Sequence, residues 1–165
     1  MTEQEQLERE KYFEDKNKFA YSLYKQGKFF RKARAIIKDG DDFLVLHSPE
    51  KNIYAIAGGG IENHESAKNG CIREVFEEMG LKIKVEKLLC KIYYNKSSIY
   101  ENNKINSKCV EFYYLCTPIK KFNHKHLGIS GEFVYKVELA KLTKEEFLTK
   151  VKFKTGVLDK IKDKI

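Results

Sequence analysis

A run of glycines followed by a well-capped amphipathic helix constrains the fold of this chain more than any other feature. The run Gly58 to Gly60 comes shortly after an apolar, strand-like segment at 52–56. Because glycine adopts positive φ and lets the backbone approach closely, we expect a loop here that lies against a ligand or metal. Ser66 is a favourable N-cap residue and Gly80 a favourable C′ residue, so the sequence predicts a helix between them.

The predicted helix has two different faces. Apolar side chains recur with the i, i+3, i+4, i+7 spacing of a core-facing stripe. These are Ile72, Val75, Phe76 and Met79. The opposite face carries three carboxylates, Glu74, Glu77 and Glu78. Their mutual repulsion costs a few tenths of a kcal/mol per like-charged i,i+4 pair, and a hard cation that takes oxygen ligands would remove it.

The position of the charges relative to the glycines separates a metal site from an ordinary solvated acidic face. Glu65 and Arg73 stand between Gly59 and the carboxylates of the helix, one helix length from the glycines. An acidic face with one Arg73 to Glu77 pair would explain the helix but not the glycines, so we interpret the segment as a divalent-metal site. A carboxylate stabilised by the helix dipole is an equal alternative for Glu65, and an ordinary salt bridge is the alternative for Arg73.

The whole pattern from Gly59 to Leu81, called the box below, resembles the segment that defines the Nudix hydrolases. The box covers 23 residues. The resemblance implies an α/β/α sandwich with a mixed sheet, in which the box forms a loop, helix and loop beside the substrate cleft. It also implies Mg²⁺- or Mn²⁺-dependent hydrolysis of a diphosphate linkage in a nucleoside diphosphate derivative, by in-line attack of water at phosphorus. Periodicity alone indicates only an α/β chain of one domain.

The resemblance assigns roles to individual residues of this sequence. Glu77 and Glu78 match the usual metal ligands, and the main-chain carbonyl of Gly58 matches a common additional ligand. Glu74 matches a carboxylate that either ligates metal or serves as the base, and Arg73 matches an arginine that orients the glutamates. The predicted catalytic residues are therefore Arg73, Glu74, Glu77 and Glu78, and the predicted metal ligands are Gly58, Glu74, Glu77 and Glu78.

Substrate contacts are predicted at three residues, Gly59, Gly60 and Tyr54. Some relatives carry the base or a further metal ligand on a late loop, and Glu132 and Glu111 are the plausible counterparts here. A solvated glutamate on a strand is the alternative for either of them.

The rest of the chain is divided into an N-terminal helical extension at 1–28 and a hydrolase domain at 29–165. The extension contains a helix from Glu3 to about Lys25 that ends near Gly27. An Asp39-Gly40 hairpin joins two strands, and a capping box at 143–146 opens a late helix. Strands are predicted at 33–37, 43–47, 81–94, 109–116 and 133–139, a loop at 95–108, and an amphipathic terminal helix at 150–164.

Composition limits the partners and the location. The net charge is +8, but only four of the 32 basic residues are arginine and the lysines are dispersed, so we expect a free nucleotide derivative as substrate and only weak nucleic-acid binding. An RNA 5′-end pyrophosphohydrolase and a non-catalytic nucleotide-sensing or RNA-binding module are the alternatives.

No apolar run reaches the ~18 residues of a membrane span, so we expect a cytoplasmic monomer or homodimer with no membrane partner. The four cysteines form no C-x-x-C pair and are expected to be small buried thiols.

Overall fold

The structure is a computed structural model that describes residues 2–120 and 137–165. It divides into two compact units. One comprises Met1–Phe30 and Tyr93–Val110, and the other comprises Arg31–Ile92 and Glu111–Ile165. Glu132 and most of the strand predicted at 133–139 lie outside the described residues.

Helices and strands follow one another along the described chain as a mixed α/β fold. They are α1 (Glu3–Lys25), β1 (Phe30–Asp39), β2 (Asp42–Ser48), β3 (Ile53–Ala55), β4 (Ala57–Gly60), α2 (Ala67–Met79), β5 (Lys82–Tyr100), β6 (Asn103–Lys120), β7 (Glu138–Leu142), α3 (Lys144–Lys150) and α4 (Val157–Ile161). The strands are ordered β3-β2-β1-β6-β5, with β4 also paired to β1 and β7 to β2. β1 is antiparallel to β2 and β4, and Tyr54 of β3 adds a parallel bridge to Val151.

The larger unit has a hydrophobic core on each face of its sheet, because side chains alternate along each strand. Ala33, Ala35 and Ile37 of β1 belong to a core that also contains Val75 of α2. Ile36 belongs to the other core, which contains residues of α3 and α4 such as Phe147. This layering places α2 on one face of β1 and the C-terminal helices on the other.

The glycine run forms strand β4 and not the predicted loop. Gly58, Gly59 and Gly60 pair with Arg34, Ala33 and Lys32 of β1. Gly58 has φ +149, and a Cβ atom there would meet the carbonyl oxygen of Ala33 and would lie 2.9 Å from Arg34 Cα. Gly58 therefore permits close strand pairing, a use of glycine that the sequence pattern alone did not distinguish from a ligand loop.

The smaller unit consists of α1 and the far end of the β5–β6 hairpin. The helix begins at a capping box on Thr2, a cap that was not predicted. It ends before Gly27, which has φ +65, as predicted. Leu23 and Phe30 pack with Cys109, which is also buried. No helix of the described residues is both long and apolar enough to span a membrane.

The loop predicted at 95–108 is wrong, since the two strands continue through it to a two-residue turn. Glu101 and Asn102 have φ of +46 and +63, the left-handed pair that a tight hairpin turn requires. Ile105 and Ser107 are buried and alternate with exposed residues. Because Ser107 is polar, the alternation of buried and exposed side chains does not show as an alternation of apolar and polar residues in the sequence.

The amphipathic helix predicted at 150–164 is also wrong in extent, because α3 ends at Lys150 and only α4 is helical after it. Val151 is extended, and Gly156 has φ +84, which interrupts the helical path. Val157 and Ile161 are buried nevertheless. The periodicity therefore identified the buried side chains but not the break between them.

Candidate active site

Helix α2 begins and ends where the sequence predicts. The Ser66 hydroxyl accepts a hydrogen bond from Asn69 N–H at 3.1 Å, and Gly80 takes the left-handed conformation with φ +63. Val75 and Met79 are fully buried. Phe76 was predicted to be core but is 49% exposed, because the buried stripe runs through Cys71, Val75 and Met79, and Phe76 lies past its edge.

Arg73 joins the carboxylates of the box to each other and to β4. Its guanidinium donates to Glu65 at 2.6 Å, to Glu74 at 2.8 Å and to Glu77 at 3.2 Å. It also donates to the carbonyl oxygen of Gly60 at 2.8 Å. Five donors in one planar fork allow a single side chain to serve all four groups.

The segment between β4 and α2 is fixed by a second arginine. Arg31 donates to the carbonyl oxygens of Glu62 and Glu65 at 2.9 and 3.2 Å. The Glu65 carboxylate accepts from Glu62 N–H at 2.9 Å. The hydrogen bond from Arg73 lowers the pKa of Glu65 in spite of its burial, and the same bond is the largest reason why the pKa of Arg73 is raised. Glu65 is therefore an ionised anchor of the box.

Two carboxylates of α2 face the glycines of β4. Glu78 Oε1 accepts a hydrogen bond from Gly58 N–H at 2.7 Å. A Cβ atom on Gly59 would lie 2.5 Å from Glu74 Oε2. Gly59 thus leaves the space in which the Glu74 side chain lies, and Glu74 itself is only 16% exposed.

A buried ion-pair cluster lies behind Gly58 and was only partly foreseen. Arg34 donates through Nη1 to the Gly58 carbonyl oxygen at 3.1 Å and through Nε to Glu111 at 2.6 Å. Lys154 donates to the other oxygen of Glu111 at 2.7 Å. Burial raises the pKa of Glu111, but the charge of Arg34 and the hydrogen bonds from Lys154 and Arg34 outweigh burial and lower the pKa to about 2. Glu111 is 1% exposed and is not the solvated strand glutamate of the alternative.

The structure brings most of the sequence-predicted site residues together. Gly58, Gly59 and Gly60 lie on β4, and Arg73, Glu74, Glu77 and Glu78 lie on α2 with the contacts given above. Tyr54 is on β3, where its ring stacks on His47 at 4.2 Å and faces Lys150 Nζ at 5.6 Å. Its contact with substrate stays a prediction.

Sequence reasoning missed Arg31 and Arg34. One signal was available, since the chain has only four arginines and three of them, Arg31, Arg34 and Arg73, bond to the box or to β4. Their rarity in a lysine-rich chain marks positions where a planar, multidentate donor is needed.

The oxygen atoms of the site are suitable ligands for a divalent cation. Glu74, Glu77 and Glu78 supply carboxylate oxygens, which are ligands that Mg²⁺ takes. The carbonyl oxygen of Gly58, the fourth predicted ligand, accepts a hydrogen bond from Arg34 instead. Over residues 2–120 and 137–165, no three Asp, Glu, His or Cys side chains already surround a point where a metal ion would fit. Glu77 is 55% exposed, and it can turn from Arg73 toward an ion without unpacking the core.

Comparisons with known proteins agree with this fold. The family profile described as NUDIX domain matches residues 28–152. A NUDIX hydrolase from Nitrosomonas europaea is similar in structure, with a TM-score of 0.59 at 20% identity over 82% of this chain and 88% of that chain. A MutT NUDIX hydrolase from Burkholderia pseudomallei has a TM-score of 0.55 at 18% identity over 81% of this chain and 98% of that chain.

A mutator MutT protein from Bacillus halodurans is also similar, with a TM-score of 0.50 at 26% identity over 80% of this chain and 78% of that chain. No match was found among curated proteins. The domain match covers well over half of the chain and contains the whole box, Gly59 to Leu81. This chain therefore belongs to the Nudix hydrolase family.

Proposed function

We propose that this protein is a divalent-metal-dependent hydrolase that cleaves a diphosphate linkage in a nucleoside diphosphate derivative. The observation that carries the proposal is the convergence of box carboxylates on β4. Glu78 accepts from Gly58 N–H at 2.7 Å, and Glu74 approaches Gly59 where no side chain stands in its way. Membership of the Nudix hydrolase family supports the same reaction class.

The proposed roles follow from what each side chain can donate or accept. Glu77 and Glu78 would hold Mg²⁺ or Mn²⁺, whereas the carbonyl oxygen of Gly58, predicted as a further ligand, accepts a hydrogen bond from Arg34 in this structure. A divalent cation there would supply a Lewis acid that withdraws charge from the diphosphate oxygens. Glu74 would act as a further ligand or as the base, and Arg73 would hold the carboxylates in place through its planar fork.

The reaction that this arrangement serves is substitution at phosphorus. The oxygen of a water molecule bonds to one phosphorus of the diphosphate, the bridging P–O bond breaks, and the departing phosphate keeps the bridging oxygen. The water must lose a proton, and a carboxylate such as Glu74 is the acceptor present. The partly buried Glu74, 16% exposed, would be shielded from competing solvent when substrate covers it.

A hydrolysis screen tests the proposal. Purified protein is incubated with nucleoside triphosphates, nucleotide sugars, dinucleoside polyphosphates and a 5′-triphosphorylated RNA, with Mg²⁺ or with EDTA, and the products are separated and identified by ion-exchange chromatography. We expect cleavage of at least one small nucleotide that requires the cation. Cleavage of the RNA alone would favour the RNA 5′-end alternative, and cleavage of nothing would favour the non-catalytic module.

A matched pair of variants assigns any activity to the box. Glu78→Gln removes a proposed ligand while it keeps the shape of the side chain. Glu50→Gln makes the same chemical change at an exposed loop residue. Activity that is lost in the first and kept in the second would exclude a contaminating phosphatase.

A further inference from the structure

Gly58 is held from both faces of the sheet. It lies opposite Arg34 in the β1–β4 pairing. Its N–H donates to Glu78, which comes from α2, and its carbonyl oxygen accepts from Arg34. Since Ala33 and Ala35 of β1 pack in the core that contains α2, the alternation of the strand directs Arg34 to the opposite face. Gly58 therefore links a box carboxylate to a cation on the far side of the sheet, through the two peptide units that meet at its Cα atom.

Arg34 is itself held by a carboxylate that has no access to water. Glu111 is 1% exposed, and it gives one oxygen to Arg34 at 2.6 Å and the other to Lys154 at 2.7 Å. An ionised carboxylate at this depth is strongly destabilising if it is left unpaired. Arg34 cannot turn away from Gly58 without leaving half of that carboxylate unsatisfied. The guanidinium is thus fixed at the Gly58 carbonyl.

We propose that Glu111 is a positioning residue for the candidate active site, because it holds Arg34 against the Gly58 carbonyl and so fixes the backbone of Gly58, whose N–H orients Glu78. Its expected effect on turnover rests on the hydrolase function proposed above. Its expected effect on the Gly58 peptide does not, since that follows from the hydrogen bonds alone.

The two cations on Glu111 provide an internal comparison. Arg34 contacts both Glu111 and Gly58, whereas Lys154 reaches the same carboxylate from a side chain that is 41% exposed. Lys154→Met removes one bond to Glu111 and leaves the Arg34 bridge to Gly58 in place. An effect that is common to all the variants would indicate a general packing role, and an effect restricted to the bridge indicates positioning.

Replacing the ion pair by apolar residues separates positioning from stability. Apolar replacement of a buried pair is often neutral for stability, whereas removal of one partner is strongly destabilising. The double variant Arg34→Met with Glu111→Leu removes both charges, and Lys154 is exposed enough to be solvated. We expect it to melt near the wild-type temperature but to lack the donor to Gly58.

The experiment measures kcat, KM and the Gly58 amide resonance in ¹H–¹⁵N spectra for wild type, Glu111→Gln, the double variant and Lys154→Met. We expect kcat to fall about 10- to 100-fold in Glu111→Gln and in the double variant, the range that a small misplacement of a catalytic group produces. KM should change much less. The Gly58 amide should shift in both, and Lys154→Met should leave kcat and the resonance close to wild type.

Wild-type kcat and an unshifted Gly58 resonance in the double variant would overturn the inference. Equal losses in Lys154→Met would do the same. If the double variant does not fold, Arg34→Lys replaces it, because a lysine keeps a charge for Glu111 but cannot bond to both Glu111 and Gly58. If wild type cleaves no nucleotide, the proposed function fails, and the resonance of Gly58 alone decides whether Glu111 positions that peptide.

Discussion

Replacing Arg73 by methionine should destabilise the folded chain by about 3 kcal/mol, because Arg73 joins the carboxylates of the box to each other and to β4. Its side chain is 26% exposed, and its partners Glu65 and Glu74 are each 16% exposed. A hydrogen bond to a charged group contributes about 1.5 to 3 kcal/mol, and we take the low end for these two since solvent reaches them partly. Glu77 is 55% exposed, so its pair with Arg73 adds under about 1 kcal/mol.

Urea unfolding at pH 7, followed by far-ultraviolet circular dichroism, measures this change. Lys68→Met is the matched control, since Lys68 is an exposed cation on the same helix and its replacement should stay within about 0.5 kcal/mol of wild type. Arg73→Lys keeps the charge but loses the planar fork, and it should fall between the two. If Arg73→Met unfolded at the same urea concentration as Lys68→Met, the claim that the hydrogen bonds of Arg73 stabilise the box would be wrong.

Three further outcomes are expected. Val75→Ala should lower the free energy of unfolding by about 1 to 3 kcal/mol, because it truncates a core side chain. Phe76→Ala should lower it by well under half of that amount, because the ring of Phe76 is 49% exposed. Thermal unfolding of the two variants measures the difference. Gly59→Ala should abolish activity with little loss of stability, because the new methyl group meets the carboxylate of Glu74. The folded-state pKa of Glu111, about 2, lies below its usual value of 4.5. In that range the unfolded chain binds more protons than the folded chain, so stability must fall as pH drops from about 5 toward 2. The urea midpoint of unfolding, measured against pH, should fall less steeply in Glu111→Gln than in wild type.

Local signals were sufficient for the helix and the first hairpin. Ser66 and Gly80 act on groups within a few residues of themselves, so their capping roles can be inferred from sequence alone. The Asp39-Gly40 turn is local in the same sense, and Gly40 has the φ of +64 that such a turn needs. These two elements are specified by neighbours in sequence and were predicted correctly.

Elements that depend on distant partners were not. Gly58 to Gly60 form a strand because β1 lies beside them, and nothing within the run distinguishes a paired strand from a loop. The pair Arg34 and Glu111 joins residues 77 positions apart, and a single sequence contains no information on such a contact. The exposure of Phe76 also depends on a distant partner, because it is set by the exact rotation of α2 against the sheet.

The site was predictable to the extent that the box is contiguous. Arg73, Glu74, Glu77 and Glu78 are adjacent on one helix, so their spacing alone placed them on one side of it. The support for these residues comes from β1 and β6, through Arg31, Arg34 and Glu111. Sequence spacing identified these four side chains as candidates, but their supporting contacts needed the three-dimensional fold.

The most direct test of the proposed metal site is the hydrolysis rate of Glu77→Gln and Glu78→Gln on the best substrate of the wild type. Each change removes a charged oxygen and keeps the side-chain shape, and neither residue belongs to the buried core. The account predicts that turnover falls by a factor of about 100 or more while the melting temperature of the metal-free protein is nearly unchanged. Near-normal turnover in either variant would contradict it.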